Sequence, residues 1–363
     1  MVQDARANLP GQSNPSEVPG QPKPQPQPPG APPVPGPAEP PPTDPIPPVP
    51  HPPAEPPGTI RSAKPFGAIV FVALSVALAG NVTAQDMPAE YKAVLSALGK
   101  TGDFKDNVLK VNIPRSDVSV VIGGRAAPTP FGFGGWVALT KGDGGADVMM
   151  GDLVLREDEV NVVMSAVLDN GLDVTALHNH FFAEQPRMFY MHVHGMGPAA
   201  DLARRIKPAI DRIDAFAAQT KGAAPAAAST PDSLDTAALA KIIGQAGETN
   251  GGVYKITIGR PDLDVREHGA RIGTRMGLNT WAAFFGSDKD AMVAGDIVML
   301  EQEVTPVLKV LRANGLSVVA MHHHMTGVTP MLVFLHYYGT GPAATLAQGV
   351  RAAVALIGKP TGS

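Results

Sequence analysis

An internal duplication constrains the fold of this chain more than any other feature of its sequence. The offset between matching segments is 144 residues in the later part of each copy and 145 in the earlier part. The clearest matches are 151–155 with 295–299, 157–160 with 301–304, 170–172 with 314–316, and 110–113 with 255–258. Two homologous units are therefore predicted at 88–216 and 233–357, and a linker of small residues at 217–232 joins them.

Each copy contains the apolar periodicities of both helices and strands. The first copy predicts a helix at 89–98 that ends at Gly99, strands at 108–113, 118–122, 136–140 and 147–155, a helix at 159–168, hairpin strands at 172–180 and 188–194, and a closing helix from 198 to about 210. The predicted fold class is α+β, with two tandem units that are each a mostly antiparallel sheet covered by helices.

The first 60 residues differ from the rest of the chain in composition. Of the 38 prolines, 23 precede residue 58, and large apolar side chains are almost absent there. Such a stretch cannot bury a core, so residues 1–60 are predicted to be a disordered, Pro-rich segment. The alternative is that translation begins later, close to residue 61. An export signal should stand at the N-terminus, and residues 61–85 have the order of one.

Residues 61–85 have the order of an export signal. Arg61 and Lys64 precede an apolar run at 66–80, and residues 82–84 supply a small-x-Ala cleavage site. The run is shorter than the ~20 residues of a membrane-spanning helix, which favours cleavage after Ala84. The sequence thus predicts an exported, periplasmic protein. The alternative is anchorage in the inner membrane by residues 66–80, and membrane contact is expected only through this segment.

Composition excludes several kinds of chemistry. The chain has no cysteine, so disulfides and thiolate ligands are absent, and any metal must be held by nitrogen and oxygen donors. Its formal net charge is only -4 and no Lys/Arg stripe is present, so nucleic acid is not an expected partner.

Eight of the ten histidines lie in the two predicted hairpins. In the first copy they are His178, His180, His192 and His194. Alternate residues of a strand share a face, so a hairpin folded about Pro186 would place His178 opposite His194 and His180 opposite His192. Such imidazole pairs can bind a metal at ~2.0–2.1 Å. The opposite face is predicted to be core and carries Leu177, Phe189, Met191 and Val193.

The second copy keeps this pattern with one loss. His322, His324 and His336 match the first three histidines, whereas Tyr338 takes the place of His194. The sequence therefore predicts two sites for a divalent metal, one in each hairpin. Zinc is the first expectation, and copper and nickel are alternatives because imidazole binds all three ions.

Glu159 and Glu303 are the candidates for a catalytic role. Each stands at the start of a predicted helix, where the positive end of the dipole stabilises a carboxylate. Either could instead reach the histidines as a ligand or a general base. Arg115 and Arg260 each follow a strand close to an aspartate, Asp117 or Asp262, which predicts a turn-stabilising ion pair, with anion binding as the alternative. Trp136 and Trp281 are predicted to be core residues.

These motifs carry a resemblance to a known family. The segments Leu177-His178-Asn179-His180, Pro186-Arg187, Met191-His192-Val193-His194-Gly195 and Glu157-Asp158-Glu159-Val160-Asn161 resemble the LppY/LpqO family of bacterial exported proteins, and 321–325 and 334–339 resemble its second half. The resemblance extends over residues 88–357. It implies an exported protein built on a domain of unknown function. This chain lacks the lipobox cysteine of lipoprotein members, which favours a soluble periplasmic product.

Three functions are compatible with the sequence. The first is a periplasmic protein that binds a divalent metal. The second is a metal-dependent hydrolase that acts on cell-envelope material with Glu159 or Glu303 as its base, although no His-Glu-x-x-His motif is present. The third is a metal-free structural or ligand-binding module of the envelope. The expected partner is a small molecule or an envelope component.

Overall fold

The computed structural model describes residues 85–220 and 234–359. Both ranges fall within one of the two units into which the chain divides, Leu78–Ser363. The predicted Pro-rich segment at 1–60 and the predicted export signal at 61–85 lie outside the described residues, except for Gln85. The linker predicted at 217–232 lies outside them beyond Thr220. None of the described helices combines the length and apolar character needed to cross a membrane.

The first repeat begins with a helix and continues into a six-stranded antiparallel sheet. Its elements are α1 (Ala89–Leu98), β1 (Gly102–Lys105), β2 (Val108–Pro114), β3 (Val120–Ile122), β4 (Arg125–Ala127), β5 (Gly134–Lys141), β6 (Asp147–Arg156), α2 (Val160–Asp169), β7 (Asp173–His178), β8 (Glu184–Gln185), β9 (Met188–Gly197) and α3 (Ala199–Thr220). The strand order is β1-β2-β5-β6-β9-β7, and a small separate sheet has the order β4-β3-β8. Helix α1 ends at Gly99, whose φ of 63° gives the left-handed cap that glycine favours.

The second repeat has the same order of main elements. They are α4 (Thr236–Ile243), β10 (Gly247–Asn250), β11 (Val253–Gly259), β12 (Val265–Glu267), β13 (Ala270–Ile272), β14 (Asn279–Gly286), β15 (Ala291–Leu300), α5 (Glu301–Ala313), β16 (Ser317–His322), β17 (Leu332–Gly341) and α6 (Ala343–Val354). Its sheet has the order β10-β11-β14-β15-β17-β16, which matches the first sheet position by position. The predicted fold class of two tandem α+β units is confirmed.

One face of each sheet is covered by the helices of its own repeat. In the first repeat, Val94, Val163 and Ile206 of the three helices pack against Val111 and Met191 of the sheet. A second apolar core joins the helices and sheet of the second repeat in the same way. Burial of one apolar stripe per helix stabilises each repeat by about 25 cal/mol per Å² of apolar surface removed from water.

The other faces of the two sheets pack against each other. Two further apolar clusters lie between them, and each mixes residues of both repeats. One contains Val108, Ala138 and Met150 of the first repeat with Val265 and Phe334 of the second. The other contains the equivalent positions of the opposite repeats. These are Val253, Ala283 and Ala294 of the second repeat with Val120 and Tyr190 of the first. Residues 85–220 and 234–359 therefore form four layers, with helices outside two sheets that are related by a pseudo-two-fold axis.

The pairing of β7 with β9 differs from the predicted hairpin. His178 lies opposite Tyr190 instead of His194, and a bulge interrupts the ladder after Val174. The connection is not a tight turn about a proline, because β8 lies within it and pairs with β3. The predicted register is therefore wrong by four residues. Because four is an even number, the histidines keep the face that the sequence predicted for them.

Two smaller predictions are also wrong. The closing helix of the first repeat continues past residue 210 to Thr220, since Ile210 and Ile213 extend its buried face beyond Pro208. Leu177, predicted to lie in the core, is 41% exposed.

Candidate metal centre

The inner faces of the two sheets carry the predicted histidines toward each other. Alternate side chains of a strand share a face, so those of β9 and β17 that point away from the helices meet between the sheets. Histidines of the first repeat are His178 at the end of β7, His180 just after it, and His192 and His194 on β9. Those of the second are His322 at the end of β16, His324 just after it, and His336 on β17. The two sites that the sequence predicted form one cluster near the pseudo-two-fold axis.

The histidines of the two repeats are in direct contact. The ring centroids of His178 and His322 lie 3.8 Å apart, and those of His180 and His336 lie 3.7 Å apart. Within the first repeat, Nε2 of His178 lies 3.0 Å from Nε2 of His192. Two nitrogens bound to one tetrahedral zinc at ~2.0–2.1 Å would lie about 3.3 Å apart. These imidazoles are therefore close to the separation that a shared ion requires.

Three groups of described side chains have ligand atoms that all lie within 4.8 Å of one another. Two of the groups draw on both repeats, and the third lies within the second repeat. They are His178, His192 and His322; His178, His180 and His336; and Asp296, His322 and His336. The cluster thus contains five of the seven histidines that the sequence predicted as ligands, together with one aspartate that it did not.

Burial leaves several of these rings without hydrogen-bond partners. Within the described part of the chain, neither ring nitrogen of His180 or of His322 has a partner, and Nε2 of His336 also lacks one. Buried polar atoms are usually satisfied, and each one left unsatisfied costs about 1–3 kcal/mol. A cation bound among these nitrogens would remove that cost, so the residues present fit a metal ion.

Burial also keeps these imidazoles in the neutral form that binds metals. Desolvation lowers the pKa of His178 to about 3, and the charge of the neighbouring His324 acts in the same direction. Desolvation followed by the charges of surrounding histidines lowers the pKa well below the ordinary value in four other rings, those of His180, His192, His322 and His336. A metal therefore does not have to displace protons from these rings near pH 7.

Two of the predicted ligands lie outside the three groups. Nδ1 of His194 lies 2.9 Å from Oε1 of Glu267, and its Nε2 lies 2.6 Å from the carbonyl oxygen of His324, so this ring links the two repeats. Nε2 of His324 lies 3.2 Å from Oδ2 of Asp296. The His324 ring also stacks on Phe334, with centroids 3.5 Å apart. His324 thus orients the aspartate of the cluster, whereas His194 joins the repeats.

The extra histidine of the second repeat has a structural role. Nδ1 of His323 lies 2.7 Å from the carbonyl oxygen of Leu332. At the equivalent place in the first repeat, Nδ2 of Asn179 donates to the carbonyl oxygen of Met188 at 2.6 Å. Both side chains close the same loop, so His323 replaces an asparagine and adds no ligand to the centre.

Glu159 and Glu303 are held by buried arginines instead of by histidines. Arg115 donates to both carboxylate oxygens of Glu159, at 2.5 and 2.9 Å. Arg260 donates to both oxygens of Glu303 in the same way, at 2.9 and 3.2 Å. Arg115 also forms the predicted ion pair with Asp117, at 2.8 Å. The two glutamates therefore anchor the start of their helices, and neither belongs to the histidine cluster.

Two pairs of charged residues that were not predicted as functional lie on the same inner faces. Asp152 and Asp296 hold equivalent positions on β6 and β15, and Lys110 and Lys255 hold equivalent positions on β2 and β11. Burial, followed by the charge of Asp296, raises the pKa of Asp152 to about 7. The sequence contains a signal for both pairs. Each copy has one lysine and one aspartate at these equivalent positions, and each interrupts an apolar strand.

A cavity of about 530 Å³ opens onto the histidine cluster. His180 and His336 line it, together with the two charged pairs. Trp136 and Trp281, which the sequence predicted as core residues, pack against the apolar clusters between the sheets but are only half-buried and form part of the cavity wall.

Both repeats match a single family model. The model of a Domain of Unknown Function (DUF1259) matches residues 92–212 and 237–356, which together make up more than half of the chain. The chain belongs to this family. Each DUF1259 copy supplies three of the six side chains in the metal groups, and the family description states no activity.

Comparisons outside the DUF1259 family add no functional information. No curated protein matches this chain. The chain is similar to the trimeric bacterial microcompartment shell protein PduB, with 11% identity, 71% of this chain and 90% of that chain covered, and a TM-score of 0.18. It is also similar to EtuB from Clostridium kluyveri, with 10% identity, 72% and 98% of the two chains covered, and a TM-score of 0.18. Scores of this size do not indicate a shared fold.

Proposed function

We propose that this DUF1259 protein binds a divalent metal ion between its two repeats. The observation that carries the proposal is the set of unpartnered ring nitrogens on His180, His322 and His336, found among the buried side chains of the described residues. Neutral imidazoles crowded together in this way gain a common partner from a cation. The carboxylate of Asp296 adds an anionic donor to the same cluster.

The geometry favours one shared ion per chain over one ion per repeat. Any two of the three groups have a histidine in common, which is His178, His322 or His336. Each ring offers one nitrogen to a group. Two groups could therefore bind an ion at the same time only if the histidine that they share bridged the two ions as an imidazolate. The proposed centre therefore replaces the two separate hairpin sites that the sequence predicted.

Zinc is the proposed ion. Imidazole and carboxylate donors at tetrahedral separations are typical of zinc sites, and no thiolate is available in this chain. Copper and nickel accept the same donors. A metal analysis must therefore measure all three elements.

The hydrolase alternative receives less support from the described residues. Its proposed bases were Glu159 and Glu303, and buried arginines engage both oxygens of each carboxylate. A general base must be free to reach the proton that it removes. The binding function is therefore preferred.

We also propose that the protein is exported to the periplasm and is a member of the LppY/LpqO group within its family. The basic, apolar and small-x-Ala order of residues 61–85 supports export, and the histidine motifs support the group. N-terminal sequencing of the mature protein tests export. A first residue at Gln85 supports it, and retention of residues before Arg61 contradicts it.

Metal analysis of untagged protein tests the binding function. Zinc, copper and nickel are measured by mass spectrometry in the purified full chain and in His178→Ala/His192→Ala. The wild type should hold about one ion per chain, and the double variant should hold less, because it breaks both groups that draw ligands from the two repeats. His323→Asn is the matched control, because it removes a histidine outside the three groups and restores the residue of the first repeat. Equal, low metal in wild type and double variant would instead favour a metal-free module.

A further inference from the structure

The cavity beside the histidine cluster has the size of a small-molecule site. Its volume of about 530 Å³ lies within the ~300–1,000 Å³ that is usual for such sites. Both repeats contribute equivalent residues to its walls. Lys110, Trp136 and Asp152 come from the first repeat, and Lys255, Trp281 and Asp296 from the second.

Each lysine lies over the tryptophan of its own repeat. Nζ of Lys110 lies 4.4 Å from the ring centroid of Trp136, and Nζ of Lys255 lies 4.2 Å from that of Trp281. An ammonium over the face of an indole is attracted by the ring quadrupole, which fixes the direction of these flexible side chains. The two ammonium groups are thus held on the wall of one cavity.

Neither ammonium is paired directly with a carboxylate among the described side chains, although the charge of Asp152 attracts both lysines and that of Asp296 attracts Lys255. No hydrogen bond or ion pair within 4.0 Å joins either lysine to a carboxylate, and Asp296 is engaged by His324 instead. The two positive charges repel each other across the cavity. Lys110 is half-buried and Lys255 is exposed. Desolvation by the surrounding residues lowers the pKa of each to about 8.

We propose that this cavity binds a small molecule through an oxyanion group, a carboxylate or a phosphate, held between Lys110 and Lys255 with its apolar part against Trp136 and Trp281. An oxyanion accepts charge-assisted hydrogen bonds from both ammonium groups and removes their mutual repulsion. The indole faces offer apolar surface to the remainder of the molecule. The inference goes beyond metal binding, because the lysines and tryptophans that carry it belong to none of the metal groups.

Intrinsic fluorescence reports on this site directly, because the only two tryptophans of the chain both line the cavity. The full chain is titrated with inorganic phosphate, with benzoate, and with neutral benzamide as the uncharged control. The titrations are run on zinc-loaded protein and on protein dialysed against a chelator. A saturable change with phosphate assigns a phosphorylated ligand, and one with benzoate assigns a carboxylated ligand with an apolar body.

Lysine variants decide whether the proposal holds. Lys110→Gln/Lys255→Gln should weaken anion binding roughly tenfold or more, since both charge-assisted contacts are lost. Lys110→Arg/Lys255→Arg, which keeps both charges, should retain binding and guards against a loss caused by misfolding. Lys92→Gln/Lys309→Gln is the matched control, because both of these lysines are exposed on helices.

Three results would overturn the proposal: no saturable response to either anion, a response to benzamide equal to that to benzoate, or anion binding that is unchanged in Lys110→Gln/Lys255→Gln. Binding seen only in the zinc-loaded protein and independent of the lysines would assign the anion to the metal. If the wild-type protein binds no metal but still binds anions through the two lysines, only the proposed metal centre is refuted.

Discussion

The imidazoles of His178 and His322 stack on each other with centroids 3.8 Å apart, although the two residues occupy equivalent positions in different repeats. The contact lies at the pseudo-two-fold axis that relates the sheets. Around it, His180 of the first repeat meets His336 of the second, and His192 meets His324 at 4.2 Å. Duplication has therefore produced a cluster of histidines to which both copies contribute.

Replacement of His194 should separate a structural histidine from the ligands. His194→Ala removes contacts to Glu267 and to the backbone of His324, so the free energy of unfolding should fall by about 1–3 kcal/mol. Metal content should stay at the wild-type level, because His194 belongs to none of the three groups. Chemical denaturation and metal analysis on the same preparation measure both effects. A loss of metal as large as that in His178→Ala would restore His194 to the ligand set.

Replacement of Glu159 should reduce stability without affecting the metal. Glu159→Gln leaves Arg115, which is only 1% exposed, with a weakened partner, and breaking a buried ion pair costs about 3–5 kcal/mol. The loss should lie toward the lower end of that range, because Asp117 still binds the arginine. Glu157→Gln changes an exposed carboxylate two residues away and should be nearly neutral. Unchanged stability together with lost metal would mean that Glu159 acts at the centre after all.

The metal-free protein should lose stability as the pH falls below about 6.5. Histidine in an unfolded chain titrates near 6.5, whereas burial lowers the pKa of His178 to about 3 in the folded protein. Between these values the unfolded chain binds more protons, so the free energy of unfolding decreases as the pH decreases. Each such imidazole contributes a slope of up to about 1.4 kcal/mol per pH unit.

Denaturation of chelator-treated protein at pH 7, 6 and 5 measures this slope. His322→Phe should make it shallower, because one buried titrating ring is removed. His268→Asn is the control, since His268 is exposed and its φ of 45° suits asparagine. A slope that is identical in all three proteins would show that the buried rings do not carry the pH dependence.

The features that local sequence determines could be predicted. The repeat offset, the helix at 89–98 with its cap at Gly99, and the alternation of His192 with Met191 and Val193 all follow from residues close together in the chain. This is why the histidine face and the covered face of β9 were predicted correctly. The four-residue error in register did not change that face, because an even shift preserves side-chain direction.

The centre itself depends on contacts between distant parts of the chain. The pairing of β8 with β3 displaces the connection between β7 and β9 from the predicted turn. The packing of one sheet on the other brings His322 against His178, and nothing near either residue in the sequence indicates this contact. Asp296 was missed because a single aspartate in an apolar strand has no local pattern, although its recurrence at Asp152 was visible.

The central claim is that one metal centre is shared by the two repeats. Isothermal titration of chelator-treated, untagged full chain with zinc tests it most directly, using His178→Ala and His322→Ala as separate single variants. A shared centre predicts about one ion per wild-type chain and a marked loss of affinity in each variant, because His178 and His322 each belong to two of the three groups. Two ions per wild-type chain, with one retained at full affinity in each variant, would contradict the account.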